Sequence, residues 1–290
     1  MKKKICFIVN PISGFGKQKI IEKLIDQHLN LKNFDFKIVY TKAAKHATEI
    51  AKQAVADNFD MVVAVGGDGS VNEIARGLIG SNTALAIVPA GSGNGLARYL
   101  KIPLNLKKAI KIINTGKVKK VDAVQLNNEY FFNVAGLGFD AFIGSKIALL
   151  SKRGFTAYFK LIAKEFYKYK EQNFELIIDG KTYKKSAFMM CFANSPQWGY
   201  NAHISPKSDN ADGVFEIAIL KDVSIFNILN LSLKLLNKTI DQSPNLEIIK
   251  AKEVIVKQVN TIAQIDGEPV EVGNTVIVKI FPLSLNVIVP

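Results

Sequence analysis

Three glycine-containing loops carry the residues best suited to bind an anion. Each follows a short apolar run: the first loop is residues 10–17, the second is 66–73 and the third is 89–95. Glycines let backbone N–H groups approach an anion, and the start of a following helix adds partial positive charge. Ligands of open α/β sheets bind outside the carboxyl ends of the strands, where these loops would lie. Together the loops predict a cradle for a polyphosphate.

The second loop adds a carboxylate, Asp68, to its Gly-Gly-Asp-Gly sequence. No loop has the Walker spacing, and the dinucleotide pattern G-x-G-x-x-G fails because Asn72 stands at its third glycine. A carboxylate among phosphates repels them unless a cation or a proton transfer requires it. Asp68 therefore indicates Mg²⁺-dependent phosphoryl transfer rather than passive dinucleotide binding. The alternative is a turn aspartate that bonds its own backbone.

The elements that must position these loops alternate between strand and helix over residues 1–122. Short all-apolar runs, typical of strands buried on both faces, are separated by segments with helical spacing. The expected strands are Ile5–Val9, Phe36–Tyr40, Met61–Val65 and Ala84–Val88, and the expected helices are Lys17–Leu29, Ala47–Ala56, Val71–Ile79 and Leu106–Ile113. This alternation predicts an α/β domain with an open parallel sheet.

Residues 123–280 have a different pattern, in which period-2 strands and turns dominate. The expected strands are Phe174–Ile178, Lys184–Cys191, Val214–Leu220, Leu246–Ile249, Val254–Gln258, Thr261–Ile265 and Thr275–Ile280, with helices near 155–169 and 225–236. Asp-Gly pairs at positions 179, 212 and 266 are typical of hairpin turns. The sequence therefore predicts a second, β-rich domain, with a boundary near residues 118–128.

Composition and charge narrow the class of protein. With 48% apolar and 22% charged residues, the 290-residue chain is folded rather than disordered. No apolar run approaches the ~20 residues needed to cross a bilayer, and the first one is too short for a signal peptide, so we expect a cytoplasmic protein. The two cysteines predict neither a disulfide framework nor a zinc site. The net charge of +13 favours polyanionic partners: nucleic acid, anionic lipid or phosphorylated ligands.

Six motifs occur in a specific order along nearly the whole chain. They are Asn10-Pro-x-Ser-Gly14, Thr41 with His46-Ala47, Gly66-Gly-Asp-Gly-Ser-Val-Asn-Glu73, Pro89-Ala-Gly-Ser-Gly-Asn94, Asp209-x-x-Asp212-Gly213 and Ile265-Asp-Gly-Glu268. This order resembles the diacylglycerol kinase catalytic domain family, which includes soluble bacterial lipid kinases, sphingosine kinases and ceramide kinases. The Gly-Gly-Asp-Gly motif alone would also admit NAD kinases and phosphofructokinases. The resemblance implies a Rossmann-like first domain of the phosphofructokinase and NAD kinase type, to which residues 281–290 return.

The resemblance also implies roles for the matching residues. Glu268, or Asp266 beside it, would accept the proton of a lipid hydroxyl, and Asp68 would lie near the transferred phosphoryl group. The implied ligands of a Mg²⁺ ion are Asp209, Asp212 and the backbone of Val214. The implied ATP contacts are Asn10, Pro11, Ser13, Gly14, Thr41, Gly66, Gly67, Asp68, Gly69, Ser70, Val71, Asn72, Glu73 and Ser92.

The third loop departs from the form found in many bacterial members, which carry an acidic residue where this chain has Gly95. Its sequence, Ser92-Gly-Asn-Gly-Leu-Ala-Arg98, is more similar to the sphingosine kinase form. The acceptor therefore stays open between diacylglycerol-type and sphingoid-type lipids.

The helix expected near 155–170 carries Lys160, Lys164 and Lys168 on one stripe and apolar residues on another. An interfacial membrane helix has this pattern, and so does a surface helix whose apolar face packs on the core. We predict an ATP- and Mg²⁺-dependent lipid kinase, peripheral at an anionic membrane surface and without nucleic-acid binding. The alternatives are an NAD kinase or other small-molecule kinase, and a nucleotide- or lipid-binding regulator without turnover. The oligomeric state stays open, with a homodimer as one alternative.

Overall fold

The chain folds into two compact units. The computed structural model describes residues 2–12, 20–148, 155–199 and 201–290. Unit 1 comprises Met1–Ala123 and Pro282–Pro290, and unit 2 comprises Val124–Phe281. The chain therefore leaves unit 1 once and returns to it at the end. Within the described ranges, no helix combines the length and apolar composition that a membrane span requires.

Unit 1 alternates strands and helices, as the sequence pattern predicts. Its elements are β1 (Lys3–Val9), α1 (Ile21–His28), β2 (Phe34–Tyr40), α2 (His46–Ala56), β3 (Met61–Gly66), α3 (Asp68–Leu78), β4 (Ala84–Pro89), α4 (Gly95–Tyr99), α5 (Leu106–Thr115) and β5 (Lys117–Leu126), whose last residues belong to unit 2. Every residue of β3 and β4 is buried, as expected for a parallel sheet covered on both faces.

The strand order of unit 1 places the glycine loops together. The four parallel strands lie in the order β2-β1-β3-β4. The order reverses between β1 and β3, and such a reversal opens a crevice at the carboxyl ends of the strands. Asn10, which begins the first loop, directly follows β1, and the second loop follows β3, so both lie at this crevice. The third loop follows β4, the next strand along.

Unit 2 is built mainly from antiparallel strands. Its elements are β6 (Glu129–Phe131), β7 (Val134–Gly138), α6 (Phe139–Ala148), α7 (Phe155–Phe166), β8 (Gln172–Ile178), β9 (Lys181–Ala187), β10 (Met189–Ala193), β11 (Gln197–Gly199), β12 (Ala202–His203), β13 (Phe215–Leu220), α8 (Ile228–Leu236), a 3₁₀ turn (Ile240–Gln242), β14 (Leu246–Ala251), β15 (Glu253–Lys257), β16 (Ile262–Ile265), β17 (Glu268–Glu271) and β18 (Thr275–Val289), whose last residues belong to unit 1.

Two sheets pack face to face in unit 2. One contains β18, β15, β8 and β9, and the other has the order β14-β13-β10-β7-β16-β17. Phe131, Phe174, Phe192 and Phe215 fill the core between them. Helices α6, α7 and α8 cover the other face of the second sheet, where Phe139 packs against Phe166 and Phe188. The predicted fold class, an α/β domain followed by a β-rich domain, is confirmed.

Two sequence-based boundaries are wrong. The strand predicted over Lys184–Cys191 is two strands, β9 and β10, which belong to different sheets. The chain changes sheet at Phe188, whose N–H donates to the carbonyl oxygen of Leu220. The helix predicted to begin at Val71 begins at Asp68 instead, so Asp68 occupies the first turn of α3.

Candidate active site

The first loop is tied to the second by Asn10. Its side-chain Nδ2 donates to the Ser70 hydroxyl over 3.2 Å, and its Oδ1 accepts from the N–H of Ile12 over 3.1 Å. Pro11 is exposed beside it. Asn10 therefore fixes the start of the first loop against the first turn of α3.

Thr41 lies next to this point because β2 runs parallel to β1. The Thr41 N–H donates to the carbonyl oxygen of Val9 over 2.9 Å, which extends the pairing one residue beyond β2. The predicted ATP contacts Ser13 and Gly14 lie outside the described residues.

The second and third loops touch through their backbones. The N–H of Ala90 donates to the carbonyl oxygen of Gly66 over 2.8 Å. A Cβ atom on Gly67 would lie only 3.2 Å from the Cα of Gly91, and a Cβ on Gly91 would collide with the backbone of Gly67. The close approach of the two loops therefore requires glycine at position 91, and a side chain at position 67 would push the loops slightly apart.

The carboxylate of Asp68 holds the third loop. Its two oxygens accept from the N–H groups of Asn94 and Gly95 over 2.7 and 2.6 Å. Burial raises the pKa of Asp68, while these two hydrogen bonds and the Arg98 guanidinium oppose the rise. A Cβ on Gly93 would lie 2.6 Å from the same carboxylate. Asp68 thus has a structural task, which is to join the start of α3 to the start of α4.

Asn94 completes the third loop. From the sequence it is only the last residue of the Pro89–Asn94 motif, with no separate role predicted. Its backbone adopts φ of 54°, a left-handed conformation that asparagine tolerates better than most residues. Its side chain accepts from the Gly91 N–H over 3.1 Å and donates to the Gly91 carbonyl over 2.7 Å. Asn94 therefore closes the loop on itself while its N–H binds Asp68.

The other predicted ATP contacts continue along α3 and the third loop. Gly69, Ser70, Val71, Asn72 and Glu73 form the first turns of α3, and Ser92 is exposed in the third loop. Val71 and Asn72 are buried. The Arg76 guanidinium donates to Asn72 over 2.6 Å, and the Thr48 hydroxyl donates to the Glu73 carbonyl over 2.7 Å. The structure thus brings the predicted contacts from Asn10, Thr41 and the second and third loops to one end of the unit 1 sheet.

In unit 2, Asp266 and Gly267 form the two-residue turn between β16 and β17. Their φ angles are 46° and 92°, as a type I′ hairpin turn requires. The Asp266 carboxylate accepts from the N–H groups of residues 132, 133 and 134, at distances of 3.0, 3.0 and 3.2 Å. These donors occupy most of its lone pairs, which gives Asp266 a structural role in holding the turn.

Replacing Asp266 with alanine is expected to lower the free energy of unfolding by about 3 kcal/mol, because three part-buried N–H groups lose their acceptor. Urea denaturation measures this change. Asp179→Ala is the matched control, since Asp179 also precedes a glycine in a hairpin turn but accepts only two longer bonds, 3.2 and 3.4 Å, in an exposed setting. Equal losses in the two variants would contradict the structural role of Asp266.

Glu268 follows this turn as the first residue of β17 and is exposed. The turn beneath it is braced by Gln264, whose Oε1 accepts from the Gly267 N–H over 2.7 Å. Gln264 Nε2 in turn donates to the buried Asp140 over 2.9 Å. Burial raises the pKa of Asp140 to about 6. Glu268 is thus a solvent-accessible carboxylate on a turn that two buried side chains hold in place.

Sequence reasoning missed Asp140 and Gln264. Gly136 makes room for Asp140, because a Cβ there would collide with the carboxylate. The available signal was an acid directly after a glycine-rich apolar run, residues 134–139. That signal indicates a buried acid but does not reveal its partner, which lies far along the chain.

The predicted metal ligands lie on the segment before β13. Asp209 and Asp212 are exposed, and the Asp212 carboxylate accepts from the Val214 N–H over 3.2 Å and from Lys250 Nζ over 3.1 Å. Glu216, which sequence reasoning missed, is buried with one oxygen 3.6 Å from Lys250 Nζ. Burial and the neighbouring Asp212 raise the pKa of Glu216, while Ser208 and Lys250 oppose the rise. Over the described ranges, no three acidic, histidine or cysteine side chains are grouped closely enough to hold a metal ion.

Known proteins resemble the chain over nearly its whole length. The profile "Diacylglycerol kinase catalytic domain" matches residues 4–126, and "YegS C-terminal NAD kinase beta sandwich-like domain" matches 133–289. A protein named diacylglycerol kinase from Bacillus subtilis is 29% identical over 79% of this chain and 78% of its own length. One of the same name from Mycobacterium tuberculosis is 27% identical over 79% and 76%.

A solved structure supports the same relationship at the level of the fold. A crystal structure described as a diacylglycerol kinase from Bacillus anthracis superposes with a TM-score of 0.77, covering 99% of this chain and 97% of the other at 22% identity. At that identity the likeness shows the fold.

Proposed function

Because the chain belongs to the diacylglycerol kinase catalytic domain family, we propose that it transfers the γ-phosphoryl group of ATP to a lipid hydroxyl. The family is one of lipid kinases. ATP as the phosphoryl donor and a lipid hydroxyl as the acceptor are what we propose for this chain. The observation that carries the proposal is the joining of the glycine loops, in which Asp68 holds the third loop against the second. A loop framework this constrained presents its backbone in one fixed geometry, as phosphate binding requires.

ATP is assigned to unit 1. The second and third loops supply backbone groups at the carboxyl ends of the parallel strands β3 and β4, and α3 begins directly at the second loop. The helix dipole and the backbone N–H groups of its first turn favour negative charge there. Asp68 places a carboxylate at this same end, where we expect it to lie near the transferred phosphoryl group.

The proton acceptor is assigned to Glu268. In the reaction, the lipid hydroxyl loses its proton to the Glu268 carboxylate as its oxygen forms a bond to the γ-phosphorus. The bond between that phosphorus and the β–γ bridging oxygen breaks, and ADP leaves. Glu268 is exposed and able to meet a substrate. Asp266 already accepts three backbone hydrogen bonds, which argues against it as the acceptor.

Mg²⁺ is the metal that this reaction class uses, and it would neutralise charge on the phosphates when bound. In unit 2, the oxygen donors of Asp209, Asp212 and the Val214 carbonyl fit a hard cation. The buried Glu216 adds a further carboxylate to this segment, with one oxygen 3.6 Å from the same Lys250 Nζ that pairs with Asp212. We propose these residues as a structural Mg²⁺ site.

Asp212→Ala is expected to raise the Mg²⁺ concentration needed for half-maximal activity several-fold, because one charged ligand of a hard cation is lost. A Mg²⁺ titration of initial rates measures the change. Asp222→Ala, which removes another exposed acid from unit 2, serves as the control. If Asp212→Ala and the control had the same titration curve, Asp212 would be only the ion-pair partner of Lys250.

The acceptor class is tested by labelling. The protein is incubated with radiolabelled ATP and Mg²⁺ in the presence of diacylglycerol, a sphingoid base or NAD, each in a separate reaction. We expect label in one of the two lipids. Label in NAD alone, or in no acceptor, would contradict the proposal.

The lipid acceptor implies a place of action. Long-chain lipids reside in bilayers, so the protein must reach a membrane surface to meet them. The net charge of +13 favours an anionic surface, since cationic residues near such a surface each contribute attraction. We therefore propose a peripheral association with anionic membranes.

A further inference from the structure

Helix α8 and the turn before it expose a continuous apolar face. The inner side of α8 packs on the core through Leu231, which is 3% exposed, with Ile228 and Leu235 beside it. The outer side is also apolar. Its exposed side chains are Ile225 (51%), Phe226 (95%), Leu229 (71%), Leu233 (51%) and Leu236 (51%); we refer to these five residues as the α8 face.

The spacing of these residues places them on one side of the helix. Leu229, Leu233 and Leu236 follow one another at intervals of four and three, which is the spacing of a single helical stripe. Phe226 and Ile225 precede Leu229 by three and four residues and extend the stripe. Single exposed apolar residues are ordinary on protein surfaces, whereas a contiguous group of five marks an interaction site.

The charges near the α8 face are mostly positive. Asp222 precedes the segment 223–240, and Asp241, which follows it, is paired with Lys207 over 2.8 Å. Residues 223–240 contain no aspartate or glutamate, but they contain Lys234 and Lys238. Lys238 is exposed, and Lys221 precedes the segment. The remaining polar residues are short and uncharged, among them Asn230, Ser232 and Asn237. Such a surface is complementary to an anionic bilayer, because the apolar side chains can contact the acyl chains while the lysines contact the negative head groups.

The helix that the sequence offers as one candidate membrane contact is packed differently. On α7, Leu161, Ile162 and Phe166 pack into the core that covers the second sheet of unit 2. Its buried Glu165 binds Lys146 over 2.6 Å. The side chains of residues 155–160, including the predicted contact Lys160, lie outside the described part. Leu161, Ile162 and Phe166 of α7 therefore pack inside unit 2, whereas the side chains of the α8 face are exposed.

We propose that the α8 face inserts into the head-group region of an anionic phospholipid bilayer and docks the protein there. This inference rests on the proposed lipid kinase function, which requires access to a bilayer. A second copy of the chain is a weaker candidate, because pairing of like faces would bring Lys234 and Lys238 of both copies together, while Asp241, the acid that follows the segment, is already paired with Lys207.

The test uses the full chain and vesicles of phosphatidylcholine with and without phosphatidylglycerol. The variant Phe226→Gln/Leu229→Gln is expected to bind the anionic vesicles about 10- to 100-fold more weakly than the wild type, from the loss of two inserted apolar side chains. The matched control is Val118→Gln/Val259→Gln, which alters two exposed valines elsewhere, 58% and 81% exposed, and should bind normally. Equal binding by the two double variants would overturn the proposal.

A second measurement tests insertion directly and does not depend on a loss of binding. A Phe226→Trp variant should be quenched by brominated phospholipids in anionic vesicles, beyond the quenching of the native Trp198 in the wild type. Absence of this added quenching would overturn insertion. If the wild type is a dimer and Phe226→Gln/Leu229→Gln is a monomer by sedimentation velocity, the face serves self-association and the proposal fails.

Activity assays separate this inference from the proposed function. Phe226→Gln/Leu229→Gln should phosphorylate a detergent-dispersed short-chain diacylglycerol or sphingoid base at the wild-type rate and the vesicle-bound lipid more slowly. If the wild type phosphorylates no lipid but its vesicle binding still depends on Phe226 and Leu229, the proposed function fails and the docking face stands. If the wild type phosphorylates lipid but its vesicle binding does not depend on Phe226 and Leu229, the α8 face is not the membrane contact and the proposed function is retained.

Discussion

Replacing Glu268 with glutamine should lower kcat at least 100-fold and leave both the affinity for ATP and the melting temperature unchanged. A lipid hydroxyl must lose its proton as the new bond to phosphorus forms, and an amide of the same shape cannot accept that proton. The fold should tolerate the change because Glu268 is exposed at the start of β17. ATP is assigned to the loops of unit 1, so nucleotide affinity should not respond. Steady-state kinetics, nucleotide titration and thermal unfolding measure the three quantities.

Glu271→Gln is the control for this variant, because Glu271 is an exposed glutamate at the other end of the same strand. It should retain the wild-type kcat. If Glu268→Gln were fully active and Asp266→Asn inactive without loss of stability, Asp266 would be the acceptor despite its three backbone hydrogen bonds. Normal activity in both variants would require the acceptor to lie elsewhere, with Asp68 the next candidate.

Asp68→Asn should also lower kcat by at least 100-fold, but with a different accompanying change. Loss of a positioned carboxylate at a phosphoryl-transfer site removes the charge that the reaction uses. The asparagine also presents an NH₂ group to one of two backbone donors, Asn94 N–H or Gly95 N–H. We therefore expect a loss of about 1–3 kcal/mol in the free energy of unfolding and a weaker affinity for ATP.

The combination of effects distinguishes Asp68 from an ordinary acid of unit 1. Asp35→Asn, which changes an exposed carboxylate paired with Lys2, should leave activity and stability close to those of the wild type. If Asp68→Asn had the wild-type kcat, Asp68 would take no part in the reaction. Normal stability in an inactive variant would instead show that the third loop keeps its conformation without the carboxylate.

The architecture of unit 1 was predictable because its signals are local. All-apolar runs such as Met61–Val65 identify buried parallel strands, and helical spacing identifies the segments between them. The change of pattern near residue 122 indicated a second, β-rich domain in the same way. The passage between sheets at Phe188 was not predictable, because β9 and β10 read as one continuous strand and their separation depends on pairing with β8 and β13.

The candidate site was predictable to the level of residue types and their order. Asp68 and Glu268 stand in motifs that local sequence reveals, and the Asp-Gly pair at 266 forms the hairpin turn that the sequence offered as one alternative. The hydrogen bonds that define each role join distant positions, such as Asp266 to residues 132–134 and Gln264 to Asp140. Sequence spacing carries no information on such pairs, so the structural roles of Asp68 and Asp266 became clear only from the fold.

The last residues of the chain complete the sheet of unit 1. Val287 pairs in parallel with Leu85 on β4, the Gly80 N–H donates to the carbonyl oxygen of Ser284 over 2.7 Å, and the Leu283 N–H donates to Asp122 over 2.6 Å. These residues leave the ribosome after all of unit 2 has been made. Unit 1 therefore cannot finish folding until unit 2 has been translated, although most of unit 1 is synthesised first. Until residues 282–290 have been synthesised, the sheet of unit 1 lacks a neighbour beside β4, and contacts so distant in sequence form slowly. A ribosome that stalls within unit 2 would leave an incomplete α/β sheet exposed to quality-control proteases.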